Sequence, residues 1–159
     1  MAEHARFEKL VAEAKKNIQE ISPQDAASAL KRGDALLIDV RDPDEWQEGH
    51  IPGAKNFSRG TVELEIEEAA SDLSTPIITH CGGGGRSALA AESLQRMGYR
   101  NVKSMAGGFK AWKAAGLPAT RDEILPANGL VMAKAAFPHE LGDGPGDDKP
   151  AGLNSKGLD

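Results

Sequence analysis

A strand, a run of four glycines and a helix follow one another between residues 76 and 97, and this order constrains the fold most. Residues 76–80 are apolar enough for a buried strand, and Ala90 and Leu94 recur at helical spacing after the glycines. Gly98 then favours the end of the helix. A strand that leads through a short turn into a helix is the unit from which parallel α/β sheets are built.

The chain on either side repeats this alternation of strands and helices. Residues 35–40, ALLIDV, form an unbroken apolar run that is typical of a strand buried in a parallel sheet. Weaker strand patterns occur in NIQEIS, AKNF and NVKSM. Helical patterns occupy residues 23–31, 61–73 and 108–115, with a short helix in RDPDEWQEGHIPGA. The sequence therefore predicts an α/β fold, a doubly wound parallel sheet with helices on both faces around one core.

The two ends of the chain differ from this middle part. Residues 1–16 are predicted as an N-terminal amphipathic helix, which either packs on its own domain or docks on a partner. Residues 17–118 form the predicted domain. Residues 119–159 are rich in glycine, proline and aspartate, and are predicted as a loosely ordered tail with a helical piece around residues 130–136.

Composition and charge exclude several classes of function. The 159 residues carry a net charge of -5 without a basic stripe, which argues against nucleic acid as a partner. No apolar run is long enough for a membrane span, and the first residues do not resemble a leader, so a cytoplasmic location is expected. A single cysteine and four scattered histidines predict neither an intramolecular disulfide nor a metal site.

The glycine run places that cysteine where an anion can be bound. Cys81 ends the predicted strand, residues 82–85 are all glycine, and Arg86 and Ser87 open the helix. Glycines let several backbone N–H groups point inward, and with the helix N-terminus these groups form an anion-binding nest. The same field favours a thiolate over a thiol, and Arg86 adds a permanent positive charge. The pattern predicts Cys81 as a nucleophile.

Three other interpretations of this loop compete with a nucleophilic cysteine. A nucleotide-binding phosphate loop needs glycine where His80 stands and lysine where Arg86 stands. A dinucleotide-binding loop is matched by Gly83, Gly85 and Ala88, but NVKSMAGG lacks the acidic residue that should end the next strand. A buried cysteine without chemistry is the third, and the glycines, the arginine and the strand-to-helix position all argue against it.

The loop resembles the Cys-x4-Arg active-site loop of rhodanese-like sulfurtransferases. Two flanking stretches are similar to that family's other signatures, LLIDVRDPDEWQEGHIPGAKN before the loop and MAGGFKAWKAAGLP after it. The resemblance covers roughly residues 17–118. It implies the rhodanese fold, in which helices flank a parallel five-stranded sheet.

The resemblance also implies a persulfide mechanism that needs no cofactor. The Cys81 thiolate takes the outer sulfur from thiosulfate or another sulfane-sulfur donor and passes it to cyanide, a thiol or a protein sulfur acceptor. Cys81 and Arg86 are the predicted catalytic residues. The predicted substrate-binding residues are Gly82, Gly83, Gly84, Gly85, Ser87 and Arg59. Thiosulfate-preferring members often carry charged residues in the loop, so the four glycines leave a protein or low-molecular-weight persulfide as an alternative donor.

Two alternative functions stay open on the sequence. A sulfur-relay or regulatory module would bind a partner protein rather than turn over by itself. A phosphatase or arsenate reductase of the same fold uses a His-Cys-x5-Arg loop, which is one residue longer than the loop here. Other notable residues are interpreted as structural: His80 and His50 as packed or hydrogen-bonded, Asp39 with Arg41 as a pair, and Trp46 and Trp112 as core anchors.

Overall fold

A computed structural model describes residues 3–124 and 131–133 of the chain. Its helices are α1 (Ala5–Lys15), α2 (Pro23–Lys31), α3 (Pro43–Glu48), α4 (Val62–Ala69), α5 (Gly85–Arg96) and α6 (Gly108–Ala114). Its strands are β1 (Gln19–Ile21), β2 (Leu36–Asp39), β3 (Lys55–Asn56), β4 (Ile77–His80), β5 (Val102–Met105), β6 (Asp122–Ile124) and β7 (Val131–Ala133). Within the described ranges, no helix is both long and apolar enough to cross a membrane.

Five strands form one parallel sheet, as the sequence predicted. Their order is β1-β5-β4-β2-β3, so β4, which leads into the glycine loop, is the central strand. Residues Ile77 and Ile78 of β4 point to opposite faces, because successive side chains in a strand alternate. Ile77 packs in a core layer with α4 and α5, and Ile78 packs in a second layer with α2 and α6. The helices therefore cover both faces of the sheet.

The helix starts follow from local sequence. Ser22 caps α2, since its hydroxyl accepts a hydrogen bond from the Asp25 amide at 3.0 Å, and Pro23 occupies the first helical position. Asp42 and Glu45 form a capping box at the start of α3, where the Glu45 carboxylate accepts from the Asp42 amide at 3.1 Å. This box holds the first turn of α3 in place and fixes the position of the Glu45 carboxylate.

The N-terminal helix packs on its own domain, which is the first of the two interpretations given above. Val11 and Ala14 of α1 are buried, and α1 lies against α5. Phe7 and Leu10 on the same helix are 42% and 56% exposed. The helix is therefore anchored by one narrow face and leaves two large apolar side chains partly open to solvent.

The chain beyond residue 118 departs from the prediction in two places. Ala119 and Thr120 are buried, and Thr120 exchanges backbone hydrogen bonds with His50, both at 2.8 Å, so the packed domain continues past residue 118. Residues 131–133 form strand β7, antiparallel to β6, so the helix predicted there is wrong for these three residues. A short apolar run does not distinguish helix from strand, and pairing with β6 decides the matter. The rest of that predicted helix lies outside the described residues.

Candidate active site

Cys81 lies directly beyond the end of the central strand β4, at the edge of the sheet where parallel α/β folds place ligands. Strand β2 ends at the same edge with Asp39, and β5 ends there with Met105, ahead of Gly107 and Gly108. The loop of residues 81–84 then enters α5, whose first residue is Gly85. The segments that follow β5, β4 and β2, which are neighbours in the sheet, therefore all begin at the same edge.

Backbone amides point at the sulfur of Cys81. The Gly84 N–H donates to Sγ at 3.1 Å and the Ser87 N–H donates at 3.4 Å. Cys81 is only 1% exposed, and it packs on one side against the α4–α5 core layer. The sulfur is therefore buried, yet two peptide dipoles at the start of a helix face it, and such dipoles stabilise negative charge.

A hydroxyl group also reaches the sulfur. Ser87 Oγ lies 3.5 Å from Cys81 Sγ, and its other neighbour is the hydroxyl of Ser104 at 2.8 Å. Thr79 of β4 holds the first turn of α5 against the strand, because its hydroxyl donates to the Ser87 carbonyl at 2.9 Å. The structure thus brings the predicted residue Ser87 to the sulfur through both its amide and its side chain. The sequence did not predict a place for Ser104 in the site, because nothing in NVKSM indicates that its serine is buried rather than exposed.

Arg86 is bound by Glu45, a residue of α3 that lies outside the loop motif. Its two terminal nitrogens bind the two carboxylate oxygens of Glu45 at 2.8 and 3.1 Å. The hydrogen bond from Arg86 lowers the pKa of Glu45 to about 2, and Glu45 in turn raises the pKa of Arg86. A bidentate pair of this kind fixes orientation as well as charge. Arg86 therefore ties the loop to α3. Glu45 lies within the first family signature, and that was the signal available for it.

The Glu45–Arg86 pair leads to a prediction about pH. Because the pKa of Glu45 is lowered in the folded state, the pair stabilises the fold above pH 4.5 and loses that contribution as pH falls towards about 2. Both side chains are partly exposed, so we expect Glu45→Gln to cost about 1 kcal/mol or less at neutral pH. Denaturant unfolding at several pH values should show the wild-type and variant curves converging in acid. Glu48→Gln on the same helix is the control, and an equal effect of both variants would contradict the assignment.

The four loop glycines differ in what a side chain would meet. A Cβ at Gly82 would lie 3.2 Å from the Arg86 guanidinium, and one at Gly85 would lie 3.2 Å from the Phe7 ring of α1. Gly84 has a φ of +105°, which disfavours any other residue. At Gly83 a Cβ would meet nothing within 4 Å, and its φ is not positive. Gly84 is therefore required by its backbone conformation, whereas a side chain at Gly82 or Gly85 would need a neighbouring side chain to shift by a few tenths of an ångström, and Gly83 has open space around it.

The first residues of α6 hydrogen-bond to the loop, and Gly108 allows the two backbone segments to come close. The Phe109 and Lys110 amides donate to the carbonyls of Cys81 and Gly82 at 2.7 and 3.1 Å. These bonds require the backbone of Gly108 to pass close to the loop, and a Cβ there would lie 2.5 Å from the Cys81 carbonyl oxygen. The start of α6 thus holds the carbonyls outward while the amides of the loop face the sulfur.

A buried ion pair supports the sheet edge beside the loop. The Arg41 guanidinium binds both carboxylate oxygens of Asp39, with a Nη2–Oδ2 distance of 2.8 Å, and also donates to the Gly49 carbonyl. His80 is fully buried next to this pair, and burial lowers its pKa, so the imidazole is neutral at pH 7. These contacts agree with the structural interpretation of Asp39, Arg41 and His80.

Among the described residues, no hydrogen bond or ion pair joins Arg59 to residues 81–87. Its guanidinium donates to Glu63 at 2.9 Å, four residues further along the chain, and its backbone amide donates to the Val40 carbonyl.

Trp112 is buried as predicted and its indole N–H donates to the Pro118 carbonyl at 2.8 Å. Trp46 is only half-buried, and it stacks on the His50 ring at 3.6 Å between centroids, so the prediction of a core anchor is wrong for it. No cluster able to hold a metal ion occurs among the described residues.

Comparisons with known proteins agree with this geometry. A model of the rhodanese-like domain matches residues 22–115. The thiosulfate sulfurtransferase GlpE of Pseudoalteromonas translucida is 39% identical over 95 residues, which cover 60% of this chain and 89% of that protein. The solution structure of a polysulfide-sulfur transferase homodimer from Wolinella succinogenes is 34% identical, with a TM-score of 0.63, over 72% of this chain and 87% of that one. A protein of unknown function from Rhodopseudomonas palustris, described as a possible tyrosine phosphatase, is also 34% identical, with a TM-score of 0.64, over 70% and 92% of the two chains.

Proposed function

Because this chain belongs to the rhodanese-like family, we propose that it is a sulfurtransferase that carries a sulfane sulfur as a persulfide on Cys81. One observation carries the proposal: the Gly84 and Ser87 amides face the sulfur of the chain's only cysteine. Amide donors beside a sulfur stabilise its thiolate, which is the reactive form in sulfur exchange.

The first half-reaction loads the enzyme. The Cys81 thiolate attacks the outer sulfur of the donor, a bond forms between Sγ and that sulfur, and the bond from the outer sulfur to the rest of the donor breaks. With thiosulfate the electron pair leaves on sulfite, and the negative charge of the thiolate is now carried by the outer persulfide sulfur. Gly83 is the exposed residue of the loop, and it has no side chain that would block the approach of a donor.

The second half-reaction unloads the enzyme. An acceptor such as cyanide or a thiolate attacks the outer sulfur, the S–S bond breaks, and its electron pair returns to Sγ as the thiolate. Cyanide then leaves as thiocyanate, and a thiolate leaves as a new persulfide. The two half-reactions share one nucleophile, so ping-pong kinetics are expected. Arg86 contributes by fixing the loop through Glu45 rather than by a free guanidinium.

The test of this function is intact-mass spectrometry after mixing with thiosulfate. We expect a gain of one sulfur atom on Cys81 and its removal by cyanide. A mass that does not change with thiosulfate or with a low-molecular-weight persulfide would refute the proposal. Protection of the thiol from alkylation by vanadate, without any uptake of sulfur, would instead favour a phosphatase, which the Cys-x4-Arg spacing argues against.

A relay module is the second candidate, and the half-exposed Phe7 favours it. The Phe7 ring lies beside Gly85 at the start of α5, so a partner protein that covered this ring would sit next to the loop. A relay would take up sulfur stoichiometrically from a donor and transfer it only when the partner is added. Steady-state turnover with thiosulfate and cyanide alone would exclude it.

The open space at Gly83 leads to a prediction about the donor. Arg86 is the only charged residue from 81 to 87, and Glu45 binds it, so this segment offers little free positive charge to a dianion. We expect Gly83→Lys to raise kcat/KM for thiosulfate about three- to tenfold at low ionic strength, because a cation beside the loop attracts the donor. Salt should reduce the gain. Gly83→Ala is the control, and equal activity of the two variants would contradict an electrostatic limit on this donor.

A further inference from the structure

A pair of buried hydroxyl groups lies behind the sulfur of Cys81. Ser87 Oγ is 3.5 Å from Cys81 Sγ, and Ser104 Oγ is 2.8 Å from Ser87 Oγ. Neither serine has any exposed surface. The groups form a line that starts in strand β5, crosses the first turn of α5 and ends at the residue after β4.

Sheet register puts Ser104 in this position. Ser104 pairs with Thr79 of β4, whose own hydroxyl holds the Ser87 carbonyl at 2.9 Å. A hydroxyl inside a buried parallel strand costs free energy unless it is hydrogen-bonded, and an alanine there would avoid that cost. The side-chain hydrogen bond of Ser104 goes to Ser87, the residue that touches the sulfur. The hydroxyl therefore has a partner connected to the reacting atom.

We propose that Ser104 is a positioning residue, which acts through Ser87 on the charged sulfur of Cys81. The inference rests on the proposed function in one respect, namely that Cys81 reacts as a thiolate. A thiolate has no proton and only accepts, so the Ser87 hydroxyl donates to it and the Ser104 hydroxyl donates to Ser87 Oγ. In the thiol form the S–H donates to Ser87 and the order of donation along the line reverses.

The direction of this line links it to both half-reactions. Each donor in a hydrogen-bonded chain polarises the next, so the bond from Ser104 strengthens the one from Ser87 to the sulfur. The charged sulfur is the reactant of the loading step and the product of the unloading step. Ser104 therefore raises the fraction of Cys81 that is present as the reactive thiolate before loading, and it favours the return of the electron pair to Sγ when the acceptor takes the outer sulfur.

The rate of alkylation by iodoacetamide, measured against pH, tests this role without any sulfur donor. In Ser104→Ala we expect the midpoint of the profile to move to higher pH, with a rate about two- to fourfold lower below the midpoint and a plateau up to about threefold higher, because a less stabilised thiolate is a stronger nucleophile. Ser87→Ala should give a larger displacement. The double variant should equal Ser87→Ala alone, because Ser104 has no separate route to the sulfur. Ser28→Ala, which removes the hydroxyl of a serine in α2, is the control and should match the wild type.

Two results would overturn the proposal. One is a Ser104→Ala profile that coincides with the wild type, and the other is a double variant whose displacement is the sum of the two single ones. If Ser104→Ala does not fold, the pair Ser104→Thr and Ser104→Val replaces it, since only the threonine keeps the hydroxyl and should keep the wild-type midpoint. Intact mass after thiosulfate remains the separate test of sulfur transfer. A displaced profile without sulfur uptake would refute the function and leave the role of Ser104 standing.

Discussion

Replacing Cys81 with serine is expected to reduce sulfur transfer to the uncatalysed background, a loss of at least about a thousandfold. A hydroxyl is not appreciably ionised at neutral pH, and its oxygen does not form the persulfide on which both half-reactions depend. The amides of Gly84 and Ser87 would then face a neutral oxygen instead of a charged sulfur. The chain has no second cysteine that could take over the role.

The measurement combines turnover with thiosulfate and cyanide and intact mass after the donor is added. Cys81→Ser is nearly isosteric, so we expect its unfolding midpoint to stay close to that of the wild type, which shows that the loss is chemical. Cys81→Ala is the matched variant, and it should be as inactive as the serine variant. Residual sulfur uptake by either variant would contradict the assignment of Cys81 as the sulfur carrier.

Replacing Gly108 with alanine is expected to have the largest effect on stability together with loss of activity. The added Cβ would lie 2.5 Å from the Cys81 carbonyl oxygen and 2.6 Å from the carbonyl carbon and oxygen of Gly82. The neighbouring atoms are backbone, so a rotamer change does not relieve the clash. Gly108 also has a φ of +60°, which an L-residue with a Cβ adopts at a cost of about 1–2 kcal/mol. With the overpacking added, we expect a total of about 2–4 kcal/mol.

The control for this variant is Gly116→Ala. Gly116 also has a positive φ, +74°, but a Cβ there would meet nothing within 4 Å, so that variant should show the backbone strain alone. Denaturant unfolding gives the free energies, and turnover of the folded fraction gives the activity. We expect Gly108→Ala to lose activity because the Cys81–Gly82 segment must shift, whereas Gly116→Ala should keep it. Equal destabilisation and equal activity of the two variants would show that the approach of α6 to the loop does not matter.

The succession of helices and strands along the chain was predictable from the sequence, because local residue patterns specify each element. The segment 61–73 shows how the periodicity decides between two alternatives. Val62, Leu64 and Ile66 alternate as in a strand, but only the helical spacing of Val62 and Ile66 extends further along the chain. In α4 these two side chains are fully buried and Leu64 is 77% exposed, which is the outcome that a helix requires.

The nucleophile and its loop were predictable for the same reason, since Cys81, the glycines and Arg86 are adjacent in sequence. The partners of that loop were not. Glu45 lies 41 residues before Arg86, and Ser104 lies 17 residues after Ser87, so their contacts depend on how the strands are ordered in the sheet. Arg59 is the opposite case, because its side chain is bound by an acid only four residues further along the chain, Glu63.

The packing of α1 on the first turn of α5 limits which loops can be exchanged between this chain and its homologues. The family model begins at residue 22, after α1, but Phe7 and Val11 of that helix occupy the space that a side chain at position 85 would need. The loop and the helix are therefore a matched pair. A transplanted loop with a side chain at this position would need the Phe7 ring and Val11 to move by a few tenths of an ångström, so glycine is the residue that fits against the helix without adjustment.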